Sequence, residues 1–215
     1  MELRRADIGI GRVIIDDHGV SRRGLVHTHA LAWLEIRDYR LTIEFHGQAP
    51  DALYLADDLL GAVLFARDVA AASRGESRIR LAIELVGRDD RVEFGALRFR
   101  HANEAIAKIV EQVHPRLLAA ARAELAEQGV VHFGPLALAR DAITWSGRSP
   151  LPRDEVESVE LFDTSPACLR VMAHGKALPY GKAPTAEIPN LGAALELAAE
   201  LGYRAHRSSL FIRGA

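Results

Sequence analysis

The sequence predicts an α+β protein made of two successive antiparallel β-domains, each closed by one C-terminal α-helix. Three observations along the 215 residues predict this class. Apolar and polar residues alternate in several short segments, which is the pattern of half-buried strands. In two longer segments the apolar period changes to three and four residues, which is the pattern of an amphipathic helix. The order of these segments occurs twice, and one helix per copy is enough to cover the open end or the edges of a small sheet.

Period-two alternation predicts the strands of the first copy. One segment has its apolar residues on a single face, namely Tyr39, Leu41, Ile43 and Phe45. A second segment repeats the pattern with Ile79, Leu81, Ile83 and Leu85. The tetrapeptide Gly-Arg-Asp-Asp at 87–90 then provides turn chemistry, and further apolar residues follow it. These segments are therefore predicted to form antiparallel hairpins.

Two helices are predicted from the longer apolar period. The first covers about 102–127, with the apolar stripe Ala102, Ile106, Ile109, Val113, Leu117, Ala121 and Leu125. Pro115 lies inside it and is expected to kink the helix or split it in two, and Gly129 ends it. The second begins after Asn190, which is the expected N-cap, and stops at Gly202.

The second copy follows the plan of the first. Residues 13–24 (VIIDDHGVSRRG) correspond to 136–147 (LALARDAITWSG), and 30–41 (ALAWLEIRDYRL) correspond to 150–161 (PLPRDEVESVEL). Val20 matches Ile143 at an offset of 123, and Glu35 matches Glu155 at an offset of 120. The loop between the two matched segments is therefore three residues shorter in the second copy.

Several short motifs carry a resemblance to a known family. They are Phe-Gly-Pro at 133–135 after the long helix, the Asp-Ala-Ile turn at 141–143, and Ile-Pro-Asn-Leu at 188–191 before the final helix. This arrangement resembles an uncharacterised bacterial family with tandem pleckstrin-homology-like (PH-like) domains. The resemblance implies two tandem PH-like antiparallel β-barrels, each closed by a C-terminal α-helix. It brings no agreed activity or binding residues with it.

Two domains and one insert are expected. The first domain covers 1–128, including the long helix, and the second covers 129–215. An insert at about 47–77 has no equivalent in the second copy, and Asp57 and Asp58 suit the first turn of a helix over about 57–72. This apolar helix either packs on its own domain or forms an exposed edge for a partner or a second subunit through Leu60 and Leu64.

The charge balance argues against several classes of partner. The chain has 27 Lys and Arg against 29 Asp and Glu, a formal charge of −2, so it has no long-range field for nucleic acid or an anionic membrane. Asp16 and Asp17 occupy the first hairpin, where phosphoinositide recognition would need converging basic side chains. Specific phosphoinositide binding is therefore not expected.

The sequence also indicates a compartment. Cys168 is the single cysteine and the first residues are charged, which favours a reducing cytoplasm. The longest apolar run considered, Leu59–Ala66, is far shorter than the roughly 20 residues of a membrane-spanning helix. We therefore expect a cytoplasmic protein without a membrane span.

Two groups of residues are candidate chemical sites. His27 and His29 lie on one face of an extended segment, as a metal pair requires, but no further ligand joins them at a recognisable spacing. They form either part of a metal or small-molecule site with His46 or a polar loop. Cys168 and His174, six residues apart on one strand, are separated by about 20 Å and cannot form a nucleophile and base pair. No phosphate loop, dinucleotide fingerprint or other cofactor motif is present.

Trp33 and Trp145 are the aromatic residues of most interest. Each is expected either in the core or in a groove that accepts a peptide or a small apolar ligand. With no assembled catalytic constellation in the sequence, the leading hypothesis is a non-catalytic binding or scaffolding module for an unknown protein partner. The alternative is a small-molecule-binding or metal-dependent barrel using His27 and His29.

Overall fold

The structure, a computed structural model, describes residues 1–4, 11–24, 28–45, 79–95, 101–162 and 164–208. The first half contains the strands β1 (Glu2–Arg4), β2 (Arg12–Ile15), β3 (Gly19–Arg23), β4 (Thr28–Ala32), β5 (Asp38–Phe45), β6 (Ile79–Val86) and β7 (Arg91–Gly95). A short 3-10 helix at Trp33–Glu35 separates β4 from β5, and the helix α1 (Ala102–Gln128) follows the last strand.

The second half contains the strands β8 (Val130–Phe133), β9 (Leu136–Ala139), β10 (Ala142–Trp145), β11 (Leu151–Pro152), β12 (Val156–Phe162), β13 (Cys168–Ala173) and β14 (Gly181–Pro184). Short 3-10 helices lie at Arg153–Glu155 and Thr185–Glu187. The helix α2 (Leu191–Glu200) and the strand β15 (Ala205–Ser208) complete the described chain. Within the described residues, both halves have four strands, a 3-10 helix, three strands and an α-helix in this order, and the second half has a further 3-10 helix before its α-helix.

The strands form four small sheets in the orders β1-β2-β3-β4, β5-β6-β7, β11-β10-β9-β8 and β14-β13-β12-β15. Neighbouring strands are antiparallel, except that β15 pairs with β12 in parallel, with Val159 opposite Ala205. The register of β5 against β6 runs from Asp38 opposite Val86 to Phe45 opposite Ile79.

The prediction of two closed barrels is wrong. None of the four sheets closes within the described residues, and only two α-helices are found there. The chain leaves the first sheet of each half through a 3-10 helix, which interrupts the backbone ladder between consecutive strands. In the first half the two sheets meet through side chains: Arg22 donates to the carbonyl of Glu93 at 2.8 Å, and His29 Nδ1 lies 3.0 Å from Asp90 Oδ1. The predicted helical insert at 47–77 lies outside the described residues.

A single hydrophobic core runs through both halves. The inward residues of the alternating strands are buried, among them Tyr39, Ile43, Leu81, Ile83 and Leu85. The predicted stripe of α1 is confirmed, since each of its seven residues is buried. Helix α1 is one continuous helix, so Pro115 does not split it, and Gly129 ends it in the left-handed conformation with a φ of 75°. Gly129 N–H donates to the carbonyl of Leu125 at 2.9 Å.

The start of α2 is attached to strand β5 of the first half. Asn190 N–H donates to the carbonyl of Tyr39 at 2.8 Å, and Asn190 Oδ1 accepts the N–H of Tyr39 at 3.0 Å. Asn190 Nδ2 donates to Asp38 at 2.9 Å. The sequence predicts that Asn190 caps α2, but its side chain makes no capping hydrogen bond. Strand β5 uses both ends of the Asn190 side-chain amide instead.

Two of the motifs behind the family resemblance meet in space. A Cβ on Gly134 would lie 2.3 Å from the carbonyl oxygen of Glu187 and 3.1 Å from Pro189, so only glycine allows this close approach. Gly134 also has a φ of 62°, which glycine adopts without strain. The β8–β9 turn thus packs directly on the segment that leads into α2.

Tyr39→Phe tests the attachment of α2 to β5. The phenol oxygen of Tyr39 accepts the N–H of Gly192 at 3.0 Å in a buried environment. Phenylalanine leaves that N–H without an acceptor, which is expected to lower the free energy of unfolding by about 1–3 kcal/mol. Urea denaturation measures the change. Leu34→Ala, at a side chain that is 82% exposed, is the control and should unfold like the wild type. Equal loss in both variants would contradict the prediction.

Candidate functional site

The structure places the two tryptophans differently. Trp145 is buried on β10, where its indole covers the backbone of Gly181 so closely that a Cβ there would lie 2.1 Å from Trp145. Trp33 is partly buried and donates from Nε1 to the carbonyl of Asp16 at 3.0 Å. Both indoles therefore contact their own half of the chain.

The remaining predicted site residues are only partly described. His29 is exposed on β4 and pairs with Asp90, while His27, His46, Leu60 and Leu64 lie outside the described residues. In the part of the chain that is described, no group of three or more His, Cys, Asp or Glu side chains could hold a metal ion. The metal prediction for His27 and His29 is not tested by this finding. Cys168 is buried at the start of β13.

The carboxylate of Asp16 closes the turn between β2 and β3. Its Oδ1 accepts the backbone N–H groups of His18 at 2.9 Å and of Gly19 at 3.1 Å. The hydrogen bond from His18 is the main reason that the pKa of Asp16 is lowered. This carboxylate closes a turn, which is the structural role that its position between two strands indicates.

An open cleft of about 640 Å³ lies at one end of the second half. Four separate stretches contribute to it: the β9–β10 turn, the 3-10 helix with the start of β12, the residue after β13, and the connection from α2 to β15. The lining residues are Arg140, Asp141, Arg153, Asp154, Val156, Glu157, His174, Gly202, Tyr203 and Arg204. All except Val156 and Tyr203 are exposed.

The charged side chains of the cleft form no ion pairs with one another or with other described residues. Three arginines and three carboxylates line it, and among the described residues no ion pair joins any of them to another group. Elsewhere on the same half, Arg170 and Glu160 do pair, with Nε donating to Oε2 at 2.6 Å. Ser158 donates to the other oxygen of Glu160 at 2.6 Å, and the Arg170 guanidinium lies 3.7 Å from the Phe162 ring centroid. The charged side chains of the cleft therefore have no ion-pair partners among the described residues, whereas Arg170 and Glu160 are paired with each other.

Tyr203 forms the buried part of the cleft. Its hydroxyl donates to the carbonyl of Ala139 at 2.9 Å, which ties the α2–β15 connection to β9. Burial raises the pKa of Tyr203 to about 12, although the positive charge of Arg153 opposes the rise and Asp141 adds to it. The phenol is thus a neutral hydrogen-bond donor at neutral pH rather than a charged group.

The end of α2 determines where these residues lie. Gly202 has a φ of 81°, its N–H donates to Ala199 O at 2.8 Å, and Tyr203 N–H donates to Ala198 O at 3.0 Å. These two bonds form the glycine-terminated helix end known as a Schellman motif. The sequence pattern correctly indicates Gly202 as a helix stop, but it contains no signal that the residues after the stop reach Arg153.

The corresponding place in the first half is occupied differently. Arg153 N–H donates to Asp141 O at 2.7 Å, and Trp33 N–H donates to His18 O at 3.1 Å. Trp33 and Arg153 each begin the 3-10 helix between two sheets. Each donates its backbone N–H to a carbonyl in the turn between the second and third strands of its half, which are β2 and β3 or β9 and β10. The first half therefore has an indole bonded to its own turn where the second half has an arginine at an open cleft.

Comparisons with known proteins assign no family. No protein-family model matches the chain, and no curated protein matches it. The resemblance to the bacterial PH-like family stays a prediction from the sequence motifs.

None of the described helices is both long and apolar enough to cross a bilayer.

Alkaline unfolding tests the environment of Tyr203. Its folded pKa, about 12, lies above the ordinary value of 10. Between these two pH values the folded chain therefore holds a proton on Tyr203 that the unfolded chain has released. Stability from this source is complete below about pH 10 and is lost as the pH rises towards about 12. Tyr203→Phe should have lower stability at neutral pH because it loses the bond to Ala139, but a flatter decline at alkaline pH. Denaturation in urea at several pH values measures both slopes, and parallel slopes would refute the assignment.

Proposed function

We propose that the chain is a non-catalytic binding module that docks a protein partner in the charged cleft of its second half. One observation carries this proposal: side chains of both signs line a single open cleft and do not pair with one another. Charges that are not neutralised internally are available for a partner, where complementary charges fix the register and exclude wrong partners.

The mixture of signs favours a protein over a nucleic acid or a phosphorylated small molecule. With neutral histidine, three arginines and three carboxylates give the cleft a formal charge of zero. A polyphosphate would gain from the arginines and lose to the carboxylates. A protein segment with acidic and basic side chains can satisfy both. The whole-chain charge of −2 likewise provides no general attraction for nucleic acid.

The residues of the cleft also support a non-catalytic role. No serine, threonine or cysteine is among the described lining residues, so His174 has no aliphatic hydroxyl or thiol there to activate as a nucleophile. The hydroxyl of Tyr203 is already bonded to a backbone carbonyl. These groups are arranged to present charge rather than to take a proton from a nucleophile.

A charge-reversal variant tests the proposal. Arg140→Glu with Arg204→Glu inverts two exposed guanidiniums of the cleft. Partners retained by the immobilised wild-type chain would be identified, purified and titrated by calorimetry against each variant. The double variant is expected to bind a cleft partner at least about tenfold more weakly, because attraction becomes repulsion.

The matched control is Arg23→Glu with Arg88→Glu, which changes the net charge equally at two exposed positions of the first half. It should bind like the wild type. A partner that loses affinity equally for both double variants responds to net charge alone, and one that binds all three chains equally does not use the cleft. Either result contradicts the proposed site. Turnover of a substrate that is lost on changing a cleft residue would contradict the non-catalytic role.

A further inference from the structure

Arg153 differs from the other arginines of the cleft because its guanidinium lies against a neighbouring ring and backbone. Its Cζ lies 5.9 Å from the ring centroid of Tyr203, within the range of a cation–π contact. Its Nη2 lies 2.2 Å from the position that a Cβ on Gly202 would occupy. The guanidinium therefore rests on the open side of the Gly202 backbone, next to the buried Tyr203.

We propose that Arg153 recognises a carboxylate of the partner, so that the occupant of the cleft is a protein segment in which an aspartate or glutamate binds this guanidinium. The inference rests on the proposed function, because it names the chemistry by which that cleft selects its partner. Arg153 is then the specificity-determining residue of the site.

Preorganisation favours Arg153 for this role. Arginine loses side-chain freedom when it is fixed by a ligand, and the planar guanidinium binds a carboxylate best through two parallel hydrogen bonds. Contact with Tyr203 and Gly202 restricts the Arg153 guanidinium before a partner arrives. No carboxylate of the described chain pairs with it, so its donors remain available.

The surrounding carboxylates favour a carboxylate ligand over a phosphate. Asp141, Asp154 and Glu157 line the same cleft. A free phosphate brings only negative charge to these groups, whereas a protein segment can carry a basic residue next to its carboxylate. A basic residue beside the partner's carboxylate would in turn pair with one of these three side chains.

Gly202 leaves the space that the Arg153 guanidinium occupies. A methyl group at this position would displace the guanidinium of Arg153, and the φ of 81° disfavours any side chain. Gly202→Ala is thus expected to weaken recognition even though it leaves every charge of the cleft in place.

Short synthetic peptides test the carboxylate directly. One fluorescent peptide alternates glutamate with lysine, and a second alternates glutamine with lysine. The wild-type full chain is expected to bind the glutamate peptide roughly tenfold to a hundredfold more tightly, the range for a hydrogen bond to a charged group. This comparison needs no variant and so does not depend on the folding of one. Equal binding, or no binding of either peptide, overturns the inference.

Variants then assign the effect to Arg153. Arg153→Gln should reduce binding of the glutamate peptide to the level of the glutamine peptide, and Gly202→Ala should reduce it in part. The matched control is Arg148→Gln, since Arg148 lies 5.6 Å from the ring centroid of Tyr180 but does not line the cleft. Circular dichroism and the urea midpoint check that each variant is folded, and Arg153→Lys retains the charge if Arg153→Gln unfolds.

The outcomes separate this inference from the proposed function. If Arg153→Gln binds the glutamate peptide like the wild type while Arg140→Glu with Arg204→Glu does not, the cleft binds a partner but Arg153 does not select it. If neither variant changes binding, both proposals are wrong. If Arg153→Gln and Gly202→Ala weaken binding of the glutamate peptide while Arg148→Gln does not, the carboxylate site at Arg153 is supported, and weaker binding by Arg140→Glu with Arg204→Glu supports the proposed cleft as well.

Discussion

The junction between strand β5 and the start of helix α2 is the contact on which the rest of the structure depends. Asn190 bonds to both backbone groups of Tyr39, and the Tyr39 phenol accepts the N–H of Gly192. Burial raises the pKa of Tyr39 well above its ordinary range, while the bond from Gly192 opposes the rise. The neutral phenol gives the buried N–H of Gly192 an acceptor at the point where a strand of one half and a helix of the other share one core.

Helix α1 supports the same junction from the opposite side. The His114 Nε2 lies 2.9 Å from Glu196 on α2, and Arg122 donates to Glu200 from Nε at 3.0 Å. Arg122 lowers the pKa of Glu200 through this hydrogen bond, although exposed pairs of this kind contribute only about 0.2–1 kcal/mol each. Arg116 reaches the carbonyl of Ile36 just before β5. Burial of the α1 stripe therefore contributes more to this contact than the exposed ion pair does, and the polar contacts orient the two helices.

The position of the cleft follows from this arrangement. The junction holds the first turn of α2, and the glycine-terminated end of the same helix carries Gly202 and Tyr203 to the β9–β10 turn. Arg153 then rests against residues whose place is determined by the whole length of the helix. A net charge near zero conceals this local arrangement, because opposite charges that cancel in the total remain separate and unpaired at the surface.

The sequence by itself determined the elements whose evidence is local. Alternation specified β5 and β6, the seven-residue stripe specified α1, and Gly129 and Gly202 specified where the helices end, because each signal lies within one strand or a few helical turns. The open sheets, the use of Asn190 by β5 and the cleft were decided by tertiary structure. Each depends on which distant segments meet, and the residues at 140, 153, 174 and 203 have no shared spacing that a sequence pattern could reveal.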